Sequence, residues 1–249
     1  MRKIIKGIVK QAISFGLNVD KKINYNKIGY ERVLPAASYA PWTLDKEFLD
    51  VYKQIKTFTL VDKYRCWELW HLVEQSKKIN GSLIEIGIWR GGTGALICKQ
   101  VQFEGMKKKV FLADTFTGVV KAGHKDAGYK GGEHSDTTRQ TVELLLRELK
   151  VNNFHILEGI FPDETGNLIK NERFSFCHID VDVYESAKDV FDWIWPRMNI
   201  GGIVVFDDYG FQGCNGITEF VNGIKHSSDR IMLHNLNGHA VFIKINNEY

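Results

Sequence analysis

Apolar positions along this chain recur with two different periods, which mark out an alternation of strands and helices. Short apolar runs bounded by Gly, Asn or Asp read as buried strands at Ser82–Ile88, Val110–Ala113, Phe154–Leu157, Phe174–Ile179 and Ile203–Phe206. Between them, apolar residues fall at helical spacing. Cys66, Leu69, Trp70 and Val73 predict a helix over Val61–Lys78, and a second is expected over Ala95–Phe103. Val142, Leu145, Leu146 and Leu149 predict one over Thr137–Lys150, capped by Ser135 or Asp136. Ala187, Val190, Phe191, Ile194 and Trp195 share one helical face that Pro196 ends, and Ile217, Phe220, Val221 and Ile224 mark a short helix over Gly216–Lys225. Ile231–His234 and His239–Lys244 flank Leu236-Asn237-Gly238, a hairpin signal. Strands alternating with helices imply an α/β fold around a mostly parallel sheet, and the hairpin adds an antiparallel last strand.

Two stretches fall outside this alternation. Residues 1–22 predict an amphipathic helix, with Ile4, Ile5, Ile8, Val9, Ala12 and Ile13 opposite Lys3, Lys6 and Lys10. Such a helix packs on the body or on a second subunit of a homo-oligomer, or else lies on a membrane surface. Residues 24–60, with Pro35, Pro41 and several aromatics, read as an irregular arm or cap. The expected division is therefore an arm over residues 1–60 and a sheet domain over 61–249. Residues 115–136 form a long glycine-bearing loop holding His124 and His134, and loops of this kind are commonly functional lids or disordered.

Composition narrows the function classes. A chain of 249 residues with 44% hydrophobic and 25% charged residues can bury a sizeable core. A net charge of only +3 argues against nucleic-acid binding through a broad basic field. Cys66, Cys98, Cys177 and Cys214 are scattered without CxxC spacing, as in the reduced core thiols of a cytoplasmic protein. No run is apolar enough to span a membrane, and the N-terminus lacks a cleavage pattern, so neither a transmembrane segment nor a signal peptide is expected.

The chemistry gathers at strand ends. The strand Phe174–Ile179 runs into Asp180 and Asp182, and Ile203–Phe206 runs into Asp207 and Asp208. Consecutive parallel strands of a βαβ unit lie close together, so Asp180, Asp207 and Asp208 reach the sheet edge where ligands of open α/β sheets bind. Carboxylates crowded there resist ionisation unless a cation sits between them. Upstream, Glu85–Gly94, EIGIWRGGTG, is strand, glycine turn and helix start, which offers N–H groups to an anionic ligand. The glycine spacing is not that of a dinucleotide fingerprint. Asp114, at the end of the next strand, is placed to accept hydrogen bonds from both hydroxyls of a ribose. Turn and acid together point to a nucleoside ligand.

The stretches LIEIGIWRGGTG (Leu83–Gly94), FLADTFTG (Phe111–Gly118), HIDVDVYESAKD (His178–Asp189) and GGIVVFDDYG (Gly201–Gly210) carry a resemblance. The chain resembles the macrocin O-methyltransferase family, which includes the mycinamicin and novobiocin sugar methyltransferases. The resemblance implies a Rossmann-like class I fold with a seven-stranded sheet whose last strand is antiparallel. It further implies S-adenosylmethionine, a divalent metal, usually magnesium, and a small-molecule or glycan acceptor methylated on a sugar hydroxyl. Glu85, Gly87 and Gly91 would line the methionine end of the cofactor and Asp114 its ribose, with Arg90, Thr115 and Phe116 completing the cofactor set. Asp180, Asp207 and Asp208 would bind the metal, Asp180 would also take the substrate proton, and Asp182 would orient the site or cap the next helix. Family text there is close to DGDLYEST, so Val181 and Ala187 depart from it. Other readings remain. Asp180-Val181-Asp182 is a DxD triplet that could hold a nucleotide-sugar diphosphate. An NAD-dependent oxidoreductase is disfavoured by the glycine spacing, and a non-catalytic interaction module would fail to bind cofactor.

Overall fold

A computed structural model describes residues 29–31, 33 and 37–247. The helix expected over residues 1–22 lies outside the described residues, and so does much of residues 24–36. The chain divides into two compact units between Tyr39 and Ala40. Every regular element among the described residues belongs to the second unit, and the account below concerns that unit.

Seven strands form one sheet in the order β3-β2-β1-β4-β5-β7-β6. They are β1 (Ser82–Ile86), β2 (Val110–Asp114), β3 (Phe154–Glu158), β4 (Phe174–Ile179), β5 (Met198–Phe206), β6 (Arg230–His234) and β7 (Ala240–Lys244). The first five run parallel, and β7 is antiparallel to both β5 and β6, so the expected mixed sheet is found. Among the described residues six α-helices accompany it: α1 (Lys46–Ile55), α2 (Lys63–Ser76), α3 (Gly92–Phe103), α4 (Arg139–Glu148), α5 (Tyr184–Ile194) and α6 (Asn215–Ile224). No helix among the described residues is long and apolar enough to cross a membrane.

Side chains alternate across a strand, so each strand feeds two cores. Leu83, Leu112, Phe176 and Val205 face a core shared with α1 to α4, whereas Ile84, Phe111, Cys177 and Val204 face one shared with α5 and α6. Because both faces are covered, β1 and β4 are buried along their whole length, which is why they read as continuous apolar runs.

Three local expectations shift. β5 begins at Met198, not Ile203, because the polar, glycine-bearing Asn199–Gly202 is accommodated by a register shift against β4, with Gly201 at φ +83°. Thr138, not Ser135 or Asp136, caps α4, its hydroxyl accepting from Thr141 N. Asp182 does not cap α5. The N–H of Tyr184 bonds instead to Asp126 Oδ1, from the long loop, at 2.9 Å.

α1, read from sequence as part of an arm, packs into the first core. Phe48 is fully buried, with its ring edge-on to Trp67 at 5.1 Å and to Trp70 at 6.0 Å. Phe48→Ala should therefore cost about 3–5 kcal/mol in chemical denaturation, as for a core phenylalanine. A loss below about 1 kcal/mol would mean that α1 is a detachable cap.

Candidate active site

The C-terminal ends of β1, β2, β4 and β5 surround a cavity of about 300 Å³. Gly87, Asp114 and Thr115 line one side, and Asp180, Asp207 and Asp208 the other. The sheet register places them there: Gly87 N donates to Ala113 O, Asp180 N to Ile86 O and Asp207 N to Ile179 O, each at 2.9 Å.

Around the glycine turn, Asp114 is the fastening point. Its Oδ2 accepts from Trp89 N and its Oδ1 from Phe116 N, each at 2.7 Å, so one carboxylate ties the turns after β1 and β2 together. Burial pushes its carboxyl up, and these backbone donors oppose the rise. The N–H groups of Gly91 and Gly92 are engaged within the protein, by Ile88 O at 2.7 Å and Phe58 O at 3.0 Å. The turn thus offers fewer donors to an anion than its sequence suggests.

Four residues of the expected cofactor set are not on the cavity wall. Glu85 is fully buried beneath it and paired with His178 Nδ1 at 2.7 Å, its cross-strand neighbour. Arg90 stacks 4.4 Å from the Trp89 ring centroid and pairs with Asp136 at 2.5 Å. Trp89 Nε1 also donates to Asp136, at 2.8 Å, so Trp89 and Arg90 hold the end of the long loop against the turn. Gly91 is in the left-handed region at φ +86°, close to Val142 of α4. Phe116 packs against the α1–α4 core.

The loop over residues 115–138 has no helix or strand, yet it is bonded along its length. Val119 N reaches Glu133 O at 2.8 Å, and Asp126 accepts from Gly123 N and Tyr184 N, each at 2.9 Å. Tyr129 OH donates to Asp182 at 2.6 Å. Val119, Val120, Tyr129 and His134 form part of the cavity wall, as expected of a lid, whereas His124 is exposed.

The carboxylates differ sharply in their surroundings. Asp207 is buried, and its Oδ1 accepts a short hydrogen bond from Arg65 Nη1 and one from Asp208 N at 2.9 Å. The same oxygen lies 3.4 Å from His239 Nε2. Burial alone would raise its pKa, but His239 and Arg65 outweigh that and hold the group well below the usual carboxylate range. His239, between Asp207 and Glu68, is in turn raised to about 9 against its own burial. Asp208 is pushed up to about 8, by burial first and then by the charges of Asp207 and Asp182. Asp180 is raised well above its ordinary range by burial, then by Asp207, Asp208 and Asp182, against a lowering influence from Arg65. Its side chain makes no hydrogen bond among the described residues.

A set of three carboxylates, two of them resisting ionisation through burial and then through crowding, suits a hard, oxygen-seeking divalent cation. His178, His239 and Asp207 also bring ligand-type atoms within 4.8 Å of one another. Arg65, Asp208 N and His239 crowd Asp207 Oδ1, and the Nε2 atoms of both imidazoles lack a hydrogen-bond partner among the described residues.

Arg65, Glu68, His239, Tyr129 and Asp126 were not evident as site residues from the sequence. Arg65 carried one signal: it lies four residues before Leu69 and falls on the inner stripe of α2.

The family described as macrocin-O-methyltransferase (TylF) matches residues 48–243. The chain is similar to the 8-demethyl-8-(2,3-dimethoxy-alpha-L-rhamnosyl)-tetracenomycin-C 4'-O-methyltransferase of Streptomyces olivaceus, with 27% identity over 196 residues, 74% of each chain. It is similar to the demethyldecarbamoylnovobiocin O-methyltransferase of Streptomyces niveus, with 29% identity over 143 residues, 53% of each chain. Among solved structures, the O-methyltransferase NovP superposes with a TM-score of 0.65 at 20% identity, covering 76% of this chain and 83% of that one.

Proposed function

The chain belongs to the macrocin-O-methyltransferase family, and on that premise we propose that it methylates a sugar hydroxyl, using S-adenosylmethionine and a divalent cation. The acceptor class is a glycosylated natural product or a polysaccharide precursor. The two curated relatives support this class, one being named for a rhamnosyl-bearing substrate and the other for a novobiocin precursor. The observation that carries the reading is that Asp114 shares one cavity with Asp180, Asp207 and Asp208. Its volume of about 300 Å³ is that of a small-molecule site.

A sugar hydroxyl is a poor nucleophile. With water as its stand-in, moving its proton to an ordinary aspartate is uphill by about 12 pK units, roughly 16 kcal/mol. A carboxylate alone cannot pre-form the alkoxide. Asp180, Asp207 and Asp208 would hold the cation, which supplies Lewis acidity to an oxygen touching it. Asp180, whose side chain makes no hydrogen bond among the described residues, is the group we assign to accept the substrate proton as the methyl transfers. Asp114 would bind the ribose hydroxyls, and Gly87, which leaves the cavity floor without a side chain, would lie beneath the methionine portion. Fixing donor and acceptor in line on one sheet edge can contribute about 7–11 kcal/mol in favourable cases. Val119, Val120 and Tyr129 of the lid keep water from the site.

Calorimetric titration with S-adenosylhomocysteine, S-adenosylmethionine, NAD and UDP-glucose, each with magnesium and with chelator, tests the assignment. Micromolar binding of the S-adenosyl compounds alone is expected. Binding of UDP-glucose only with magnesium would instead make Asp180-Val181-Asp182 a nucleotide-sugar site. Asp114→Ala should weaken S-adenosylhomocysteine about ten- to a hundredfold, the worth of one or two charge-assisted hydrogen bonds. Unchanged affinity would remove Asp114 from the cofactor site.

A further inference from the structure

The C-terminal hairpin turn reads from sequence as a chain reversal and nothing more, yet the structure ties it to the carboxylate cluster. Its polar residues converge on Glu68 of α2. Asn235 Nδ2 makes a short hydrogen bond to Glu68 Oε1, Asn237 Nδ2 reaches Oε2 at 2.9 Å, and His239 Nδ1 reaches Oε2 at 2.5 Å. Asn237 Oδ1 also accepts from His239 N at 3.0 Å, which fixes the backbone from which the imidazole projects. The imidazole is fully buried, and its other nitrogen lies 3.4 Å from Asp207 Oδ1.

The same turn braces the segment after β5. Tyr209 N donates to Gly238 O at 2.9 Å, and a Cβ on Gly238 would lie 2.2 Å from the Phe211 ring. The Arg65 guanidinium lies 4.9 Å from that ring's centroid and reaches Asp207 from one helical turn before Glu68. α2 therefore holds Asp207 twice, directly through Arg65 and indirectly through Glu68 and His239. All of these contacts fall on Oδ1, and Oδ2 accepts no hydrogen bond among the described residues.

We propose that Glu68 and His239, locked by Asn235 and Asn237, are positioning residues that fix the Asp207 carboxylate so that Oδ2 is presented to the bound cation. This rests on the reading of Asp207 as a cation ligand. Carboxylates and imidazoles behind metal ligands tune affinity about ten- to a hundredfold. The arrangement acts at the cation and not at the cofactor, so its signature is the magnesium concentration at half-maximal rate.

The experiment measures methyl transfer against magnesium, together with S-adenosylhomocysteine affinity, in the full chain and in Glu68→Gln, His239→Asn and His239→Gln. Asparagine at 239 can imitate only the nitrogen facing Glu68, whereas glutamine can reach Asp207. Glu68→Gln and His239→Asn should raise half-saturating magnesium about ten- to a hundredfold. His239→Gln should recover most of that loss, and cofactor affinity should stay within twofold throughout. Variants that lose activity with no change in magnesium half-saturation, or equal behaviour of His239→Asn and His239→Gln, would overturn the proposal. Should a variant fold poorly, the rate per cofactor-binding molecule is still readable. Activity of the unsubstituted chain that is indifferent to chelator would instead overturn the cation reading itself.

Discussion

Asp180→Asn should lower the rate of methyl transfer about 10³- to 10⁴-fold while leaving S-adenosylhomocysteine affinity within about threefold, the loss expected when a general base is removed. The substitution is nearly isosteric, and the Asp180 side chain makes no hydrogen bond among the described residues, so nothing in the protein is left unpaired. It also puts a neutral side chain where burial first, and then Asp207, Asp208 and Asp182, disfavour a charged carboxylate. In chelator the variant should melt at the same temperature as the parent chain or higher. Loss of activity together with unchanged or increased stability separates chemistry from folding. Asp207→Ala does not separate them, because it takes a buried carboxylate from Arg65 and His239, which keep Asp62 and Glu68 as close partners, and breaking a buried charge pair costs about 3–5 kcal/mol. Turnover of Asp180→Asn within tenfold of the parent would rule out Asp180 as the base.

Much of the site follows from short-range rules. β4, α5 and β5 are consecutive, their apolar faces are unambiguous, and parallel neighbours end together, so Asp180, Asp207 and Asp208 meet at one edge. Asp114 is equally legible, as the acid ending the strand beside the glycine turn. What stayed hidden depends on partners far away in sequence. Arg65 meets Asp207 across 142 residues, and His239 meets Glu68 across 171. No local pattern contains those distances. The family resemblance puts Glu85 at the methionine end of the cofactor, and its burial beneath the cavity comes from register, which sets it opposite His178 with both fully buried. Of the two roles open to Asp182, orienting the site or capping the next helix, capping is not found. An aspartate just before a helix is normally its cap, but Asp182 is in the left-handed region at φ +65° and bonded to Tyr129, while Asp126 of the lid caps α5 from 58 residues upstream.

Gly87→Ala should be the most damaging single-methyl change in the sheet. Gly87 has φ +88°, where an L-residue costs roughly 1 kcal/mol or more. Its added Cβ would fall 1.7 Å from the backbone oxygen of Asp180, which cannot rotate away as a side chain could. The ends of β1 and β4 would have to part, and with them the cofactor side and the cation side of the cavity. The expected cost is about 3 kcal/mol or more in chemical denaturation, backbone strain plus overpacking. Whatever protein remains folded should show weaker S-adenosylhomocysteine binding and weaker magnesium activation together, because one displacement moves both walls. Gly105→Ala provides the comparison: it also sits in the left-handed region, at φ +63°, but nothing lies within 4 Å of its Cβ. It should lose only about 1 kcal/mol and keep full activity. If the two variants were equally stable, the close approach of β1 and β4 at Gly87 would not be what joins the two halves of the site.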